Sequence, residues 1–243
     1  MASAWIYTDA DNTLWDTNAV FAEAQLALLD AGEQWTGTKG PHDRRLEFVR
    51  SFDQAIARRH HAGLRYPPAL LVRALVEGLR GATPSDAAHA ALIEGFAPGP
   101  VEAEALNRYS VILSREPPLL PSVLEGLQFA HRADVPVYVV SEGPVERLRE
   151  RLQALNLQQL VSGALSATKS LELYLRLKQR AAPREAWMIG DQFDKDIRIA
   201  HQAGLRTVLV LGAFRPHWES PGDAALADAV VDTFLDAIRT IIG

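Results

Sequence analysis

Two aspartates separated by one residue stand directly after a short apolar run near the start of the chain. The segment reads IYTDADNT, so Asp9 and Asp11 follow aromatic and β-branched residues that are typical of a buried strand. In a locally extended chain, residues two positions apart lie on the same side. Paired carboxylates can act as nucleophiles or in proton transfer. The alternative is a simple strand-to-turn connection, because Asp and Asn are common turn formers.

Polar residues also follow later segments of strand-like sequence. Ser141 follows VPVYVV, Asp191 follows AWMIG, and Lys169 follows a short segment between them. In open α/β sheets, ligands bind in the crevice beyond the carboxyl ends of the strands. We therefore expect these three residues and the two aspartates to form one site, built from four distant stretches of sequence.

The elements that must position these residues alternate between strands and helices. Alternation of this length favours a parallel sheet covered on both faces. Ser122 and Glu125 are predicted to form a capping box for one helix, and Pro144 to open the next. The predicted strands are residues 4–8, 135–141, 186–191, 206–212 and one more in the tail before a closing helix. A short segment around 164–169 lies between the second and third of them.

Residues 17–116 do not follow this alternation and read as consecutive helices. These are predicted around 18–31, 42–61, 67–80, 84–95 and 101–115, and in the second Leu46, Val49, Phe52 and Ile56 form one apolar stripe. The predicted fold class is therefore α/β, a Rossmann-like parallel sheet core with an inserted all-helical domain. The core is predicted to comprise residues 1–15 and 118–243, and the inserted domain residues 16–117.

Four short motifs occur in order along the predicted core. They are DADNT (9–13), Ser141 within VYVVSEG, Lys169 within SATKS, and GDQFDKD (190–196). The set resembles the motifs of the haloacid dehalogenase-like (HAD) hydrolases, whose first motif has the form D-x-D-x-T and whose fourth has the form G-D-x-x-x-x-D. The helical insertion also stands where that family has a helical cap, directly after the first motif.

The resemblance implies phosphoryl transfer through a covalent intermediate. Asp9 would be the nucleophile that forms an aspartyl-phosphate. Asp11 would protonate the leaving oxygen and then act as base on the hydrolytic water. Mg²⁺ is the implied cofactor, with Asp9, the backbone carbonyl of Asp11 and Asp191 as its ligands. Dehalogenases of the family lack the second aspartate, so Asp11 favours phosphate chemistry over displacement of halide.

The remaining motifs imply phosphate-binding residues. Ser141 would donate its hydroxyl to a phosphoryl oxygen, helped by backbone N–H groups around Glu142. Lys169 would offset the combined negative charge, which a compact ammonium does for two acceptors better than a planar guanidinium. Ser170 departs from the family's frequent Lys-Pro pair, which leaves Lys178 as the alternative.

Two acidic residues of the fourth motif compete for one role. We expect Asp196 to hold Lys169 or the metal-bound waters, and Asp194 could take its place. Either one could simply be favoured by a helix N-terminus. Ser141 could likewise cap the helix that begins near Pro144, which is compatible with binding phosphate.

The composition of the chain limits the classes of molecule that it is expected to bind. The 243 residues carry a formal net charge of −5, with a pI near 5.8 and no cysteine. Nothing in this balance favours nucleic acid or an anionic membrane surface as partner. The lack of cysteine excludes disulfides and thiolate chemistry. No apolar run approaches the roughly 18 residues of a membrane span, and no signal peptide is recognisable. We expect a cytoplasmic protein with a small phosphorylated substrate; its oligomeric state is open.

Other charged residues receive ordinary interpretations. A basic stretch of the insertion, from Lys39 to Arg65, is interpreted as a solvated helix face. Arg215 and His217 are interpreted as part of a polar loop, the alternative being a position at the rim of the site.

The sequence thus predicts a Mg²⁺-dependent phosphatase that hydrolyses a small-molecule phosphate monoester through an aspartyl-phosphate. One alternative is a phosphomutase, which would use the same residues to pass the phosphate to a sugar. The other is a non-catalytic phosphate-binding or regulatory protein that keeps the motifs.

Overall fold

A computed structural model describes residues 4–62, 66–94, 99–212 and 225–243. Arg65, Arg215 and His217 lie outside these ranges. The chain divides into two compact units, one formed by residues 1–17 and 116–243, the other by residues 18–115. Across the described residues, no helix is both long enough and apolar enough to cross a membrane.

The second unit consists of helices, as its pattern of apolar residues predicts. The buried side chains of Val49, Phe52 and Ile56 form the predicted stripe, and Gly78 leaves room for the Phe52 ring, since a Cβ there would lie 2.2 Å from it. The predicted helix over 42–61 is shorter and begins with a separate 3₁₀ turn at His42–Arg44. The helices are α1 (Thr17–Thr36), α2 (Arg45–Ala57), α3 (Pro68–Leu79), α4 (Pro84–Glu94) and α5 (Pro100–Leu113).

The first unit contains a six-stranded, wholly parallel sheet. Its spatial order is β3-β2-β1-β4-β5-β6. The predicted α/β fold with a parallel sheet and an inserted set of helices is confirmed. The strands are β1 (Ala4–Thr8), β2 (Val137–Ser141), β3 (Gly163–Ser166), β4 (Glu185–Gly190), β5 (Arg206–Val210) and β6 (Ala229–Val231).

Helices cover both faces of this sheet. Adjacent strand residues point to opposite faces, so that Ile6 packs with α6, α7 and α10 and Tyr7 packs with α8 and α9. A π-helical turn, Phe193–Arg198, replaces the first part of the helix predicted after β4. The helices are α6 (Val123–Arg132), α7 (Val145–Ala154), α8 (Leu171–Ala181), α9 (Ile199–Gln202) and α10 (Phe234–Ile242).

The capping box predicted at the start of α6 is wrong. Ser122 precedes the helix with φ 63°, in the left-handed region, and its hydroxyl makes no capping hydrogen bond. A capping side chain needs an extended backbone to reach the first free N–H groups of the helix. Pro144 precedes α7 as its flanking residue, so Ser141 does not cap that helix.

Candidate active site

The candidate site lies between β1 and β4, where the order in which the chain adds strands to the sheet reverses. From β1 the chain runs outward to β2 and β3, and then returns to place β4 on the other side of β1. The crevice at such a switch point is where ligands bind in open α/β sheets. Asp9 follows β1 and Asp191 follows β4. The backbone N–H of Asp9 donates to the carbonyl of Ile189 at 2.8 Å, which keeps the two strand ends together.

Lys169 joins two carboxylates at this edge. Its ammonium donates to Asp9 Oδ1 and also lies 2.5 Å from Asp196 Oδ1. All three side chains are buried, with Asp196 fully inaccessible. Lys178, the alternative, lies on α8 beside Gly204, which leads into the opposite end of β5. The structure therefore places Lys169, and not Lys178, among the carboxylates.

Close approach at Gly190 brings Asp196 into the group. A Cβ on Gly190 would lie 2.4 Å from the Asp196 side chain, so only glycine leaves room for it. The Asp196 carboxylate also accepts from the backbone N–H of Gln192 at 3.2 Å. Asp194 instead lies on the surface, where it pairs with Arg198 at 2.5 Å. Of Asp194 and Asp196, the two candidates for the role beside Lys169, only Asp196 reaches the site.

Negative charge exceeds positive charge in this cluster. Burial raises the pKa of Asp9 to about 7; the charges of Asp196 and Asp11 add to the rise, and Lys169 opposes it. Burial, followed by the charges of Asp9 and Asp196, raises the pKa of Asp191 well above its usual range. The pKa of Lys169 is raised, because the two carboxylates outweigh the effect of its burial. One cation does not neutralise three acids.

The arrangement fits a divalent cation with oxygen ligands. Carboxylate oxygens of Asp9, Asp191 and Asp196 lie within 4.8 Å of one another. Asp191 Oδ1 is itself buried and has no hydrogen-bond partner within the described residues. A buried, unpartnered carboxylate oxygen beside two other acids is costly unless a cation compensates it. Asp9 and Asp191 were predicted as ligands; Asp196, which was not, lies in the same cluster.

The predicted phosphate-binding residues lie in the loops after β2 and β3. Ser141 is buried, and its hydroxyl accepts from the N–H of Gly143 at 3.1 Å. The Glu142 carboxylate accepts from Lys195 Nζ at 2.5 Å and from the backbone N–H of Lys169 at 3.2 Å. The Glu142 side chain thus connects the segments that follow β2, β3 and β4. Nothing in the sequence signalled the contact with Lys195.

Asp11 lies apart from the three clustered acids and has its own partners. Trp15 Nε1 donates to its Oδ1 at 2.9 Å, and Thr17 Oγ1 donates to the same oxygen at 2.6 Å. Arg151, from α7, approaches that oxygen at 3.5 Å. Sequence analysis missed Arg151, because 140 residues separate it from Asp11 and no motif contains it.

Comparison with known proteins agrees with the fold and the motifs. Residues 159–237 match the family model described as HAD-hydrolase-like, and this range contains Lys169, Asp191 and Asp196. The family model supports the predicted HAD resemblance over this part of the chain. The resemblance is thereby confirmed for the third and fourth of the four motifs, which lie within the matched range. A search of the curated proteins found no match.

Several solved HAD-type structures share the fold over nearly the whole chain. The structure assigned as a β-phosphoglucomutase of Thermotoga maritima has a TM-score of 0.61 at 16% identity, covering 99% of this chain and 98% of that one. The HAD hydrolase YfnB of Bacillus subtilis, solved with magnesium, has a TM-score of 0.59 at 16% identity and covers 99% of each chain. A dehalogenase also has a TM-score of 0.59, at 14% identity, covering 100% and 98%. The shared fold therefore spans different chemistries.

Proposed function

We propose that this protein is a Mg²⁺-dependent phosphatase of the HAD superfamily that hydrolyses a small-molecule phosphate monoester in the cytoplasm. The observation that carries the proposal is the cluster of Asp9, Asp191 and Asp196, of which the buried Asp9 and Asp196 both pair with Lys169. It combines a carboxylate nucleophile, a fixed cation and an excess of oxygen ligands. Catalysis of phosphoryl transfer rests on positioning and on electrostatic stabilisation, which such a cluster supplies.

The residues divide the reaction into two displacements. A carboxylate oxygen of Asp9 attacks phosphorus, the bond from phosphorus to the ester oxygen breaks, and that oxygen takes a proton from Asp11. Water then attacks the aspartyl-phosphate and gives a proton to the Asp11 carboxylate. The bond from phosphorus to Asp9 breaks and inorganic phosphate leaves. Protons balance over the cycle, and both aspartates return to their starting forms.

The surrounding residues stabilise charge during these steps. Lys169 lies against Asp9 and is placed to balance the negative charge that grows on the phosphoryl oxygens. The hydroxyl of Ser141 and the backbone N–H groups of the loop after β2 are suited to donate to those oxygens. Asp9, Asp191 and the backbone carbonyl of Asp11 are the predicted groups that would hold Mg²⁺, and Asp196 lies in the same cluster as a further candidate. When bound, the ion supplies Lewis-acid stabilisation of the phosphoryl group and lowers the repulsion between nucleophile and substrate.

Asp11 distinguishes phosphate transfer from dehalogenation. An alkoxide is a poor leaving group and needs a proton, whereas halide does not. A second aspartate two residues after the nucleophile is therefore useful to a phosphatase and unnecessary to a dehalogenase. A phosphomutase remains the second candidate. It would use the same residues, and the structure assigned as a β-phosphoglucomutase shares the fold. A requirement for a bisphosphate activator would identify it.

The test is release of p-nitrophenol from p-nitrophenyl phosphate, with Mg²⁺ and with EDTA, by wild type, Asp9→Asn and Asp194→Asn. We expect turnover that requires Mg²⁺ and falls by about 10³-fold or more in Asp9→Asn, because the covalent step is lost. Asp194→Asn is the matched control, since this aspartate of the same motif lies exposed beside Arg198. It should retain wild-type turnover.

Trapping the phosphorylated protein gives a second readout. Acid quenching during turnover and mass spectrometry should locate one phosphoryl group on Asp9 of the wild type and none in Asp9→Asn. Turnover that survives in Asp9→Asn would exclude the covalent mechanism. Saturable binding of phosphate esters without turnover, in any metal condition, would favour the non-catalytic alternative.

A further inference from the structure

Among the described residues, three side chains reach the Asp11 carboxylate, and all three contact the same oxygen. Trp15 Nε1 lies 2.9 Å from Oδ1, Thr17 Oγ1 lies 2.6 Å from it, and Arg151 Nη1 lies 3.5 Å from it. An oxygen that accepts several N–H and O–H groups has no lone pair left to carry a proton of its own. In this geometry the proton that Asp11 gives or takes must therefore reside on Oδ2.

Arg151 is itself held in place from two further sides. Its Nε donates to Glu116 at 2.9 Å, and its guanidinium lies over the ring of Trp15 at 5.1 Å from the centroid. Only 11% of its side chain is exposed, although α7 is otherwise a polar helix. A planar guanidinium can pair with two carboxylates and stack on an indole at once, which a lysine cannot do.

The contacts tie Asp11 to the segments that flank it in the fold. Asp16 donates its backbone N–H to the carbonyl of Pro118 at 2.8 Å, and Leu120 donates to that of Leu14 at 3.0 Å. The chain leaving β1 and the chain returning at residues 116–120 are thus joined. Arg151 contacts both, through Trp15 and Glu116. Its position is therefore set by Trp15 and Glu116 as well as by Asp11.

We propose that Arg151, together with Trp15, is a positioning residue that fixes the Asp11 carboxyl group by its Oδ1 and so leaves Oδ2 as the proton-transferring oxygen. The role rests on the phosphatase function proposed above. In the first displacement the Oδ2–H bond breaks as the phosphorus–oxygen bond of the ester breaks, and the proton goes to the departing oxygen. Misplacement of Oδ2 therefore slows the reaction in proportion to the leaving group's need for that proton.

Leaving-group dependence tests this role directly. Phenyl phosphate and p-nitrophenyl phosphate have similar shapes, but p-nitrophenolate departs without protonation and phenolate does so far less readily. We would measure kcat/KM for both esters with wild type, Arg151→Met, Arg151→Lys and Arg149→Met. Arg149 is the matched control, because it is an exposed arginine on the same helix.

In Arg151→Met we expect kcat/KM to fall about tenfold or more for phenyl phosphate and by less than about threefold for p-nitrophenyl phosphate, since positioned proton transfer contributes roughly 10²–10⁴-fold in all. Arg151→Lys keeps the positive charge but not the planar guanidinium. It should lower kcat/KM more for phenyl phosphate than for p-nitrophenyl phosphate, as Arg151→Met does, but by a smaller factor. Arg149→Met should leave both values unchanged. Asp11→Asn removes the proton donor itself. The difference that it causes between the losses of kcat/KM on the two esters is therefore the upper limit for any variant of Arg151.

Equal losses on the two esters would overturn the proposal, because a merely structural role lowers both alike. Thermal unfolding of each variant shows whether it is folded. If Arg151→Met does not fold, Arg151→Lys provides the same test. Failure of the proposed function has a different signature: wild type would then show no Mg²⁺-dependent turnover of either ester, or Asp9→Asn would match it. That result would overturn the role of Arg151 as well.

Discussion

Acidic residues with little solvent exposure have pKa values shifted in opposite directions in the two units of this protein. In the α/β unit, Asp9 and Asp196 share one cation, Lys169, and burial raises the pKa of both Asp9 and Asp191. In the helical unit, only 4% of the Glu33 side chain is exposed, yet its pKa is lowered. Glu33 lies closer to the protein surface than Asp9 and receives more donors.

Glu33 is fully provided with partners. Lys39 Nζ donates to its Oε2 at 3.0 Å, the N–H of Gly40 donates to its Oε1 at 3.0 Å, and Arg45 lies 3.2 Å from Oε1. Burial alone would raise the pKa of Glu33, but these donors outweigh it. A satisfied buried carboxylate of this kind fastens the loop after α1 and has no capacity for a ligand.

The contrast separates a structural acid from acids available for chemistry. Proteins tolerate buried charges that lack partners chiefly where function requires them, and perturbed pKa values concentrate at such places. Within the described residues, Asp191 Oδ1 has no hydrogen-bond partner, whereas Glu33 uses both of its oxygens. Three measurements test this contrast between the two units.

Removal of the single cation of the site should have the largest effect on stability. We expect Lys169→Met to lose about 3–5 kcal/mol of unfolding free energy in EDTA, because it leaves buried carboxylates uncompensated. Urea denaturation measures this. Lys178→Met, at an exposed position on α8, should stay within about 0.5 kcal/mol of wild type. A Lys169→Met protein as stable as wild type would show that the cluster carries no excess charge.

Mg²⁺ should stabilise the protein through Asp191. At an ion concentration 100 times the dissociation constant, we expect about 2.7 kcal/mol of added stability, read as a rise in Tm of several degrees. Asp191→Asn should abolish that rise. In EDTA it should be at least as stable as wild type, because it removes a negative charge that lies close to Asp9 and Asp196. Asp194→Asn should keep the wild-type response. A full Mg²⁺ response in Asp191→Asn would remove Asp191 from the site.

Acid should weaken the helical unit through Glu33, with the smallest effect of the three. Its folded pKa lies below the ordinary value, so its contribution is complete above about pH 4.5 and is lost as the pH falls through the folded pKa. We expect Glu33→Gln to cost about 1 kcal/mol or less at pH 7, because Lys39 is exposed and screened by water.

The difference between Glu33→Gln and wild type should shrink on titration from pH 6 to pH 3. Thermal unfolding across that range measures it, with Glu47→Gln, an exposed glutamate of α2, as the matched control. A difference that stays constant with pH would mean that shape, and not charge, explains the contribution of Glu33.

Much of the fold could be predicted because its signals are local. A strand is predicted over residues 4–8 and β1 has these bounds, since its apolar and β-branched residues specify a buried strand without help from distant segments. The helices of residues 18–115 follow from their periodicity in the same way. The predicted cap by Ser122 failed because the backbone turns into the left-handed region there, which no local pattern of residue types announces.

The residues of the site also differ in whether local sequence could predict their positions. The positions of Asp9, Ser141 and Asp191 at strand ends could be predicted, because strand ends and parallel order follow from local pattern. The choice between Asp194 and Asp196 could not, since a π-helical turn and the space over Gly190 set which of them faces inward. Only the tertiary structure brought Arg151 to Asp11, because contacts between distant segments depend on how helices pack on the sheet and leave no trace in either segment's own sequence.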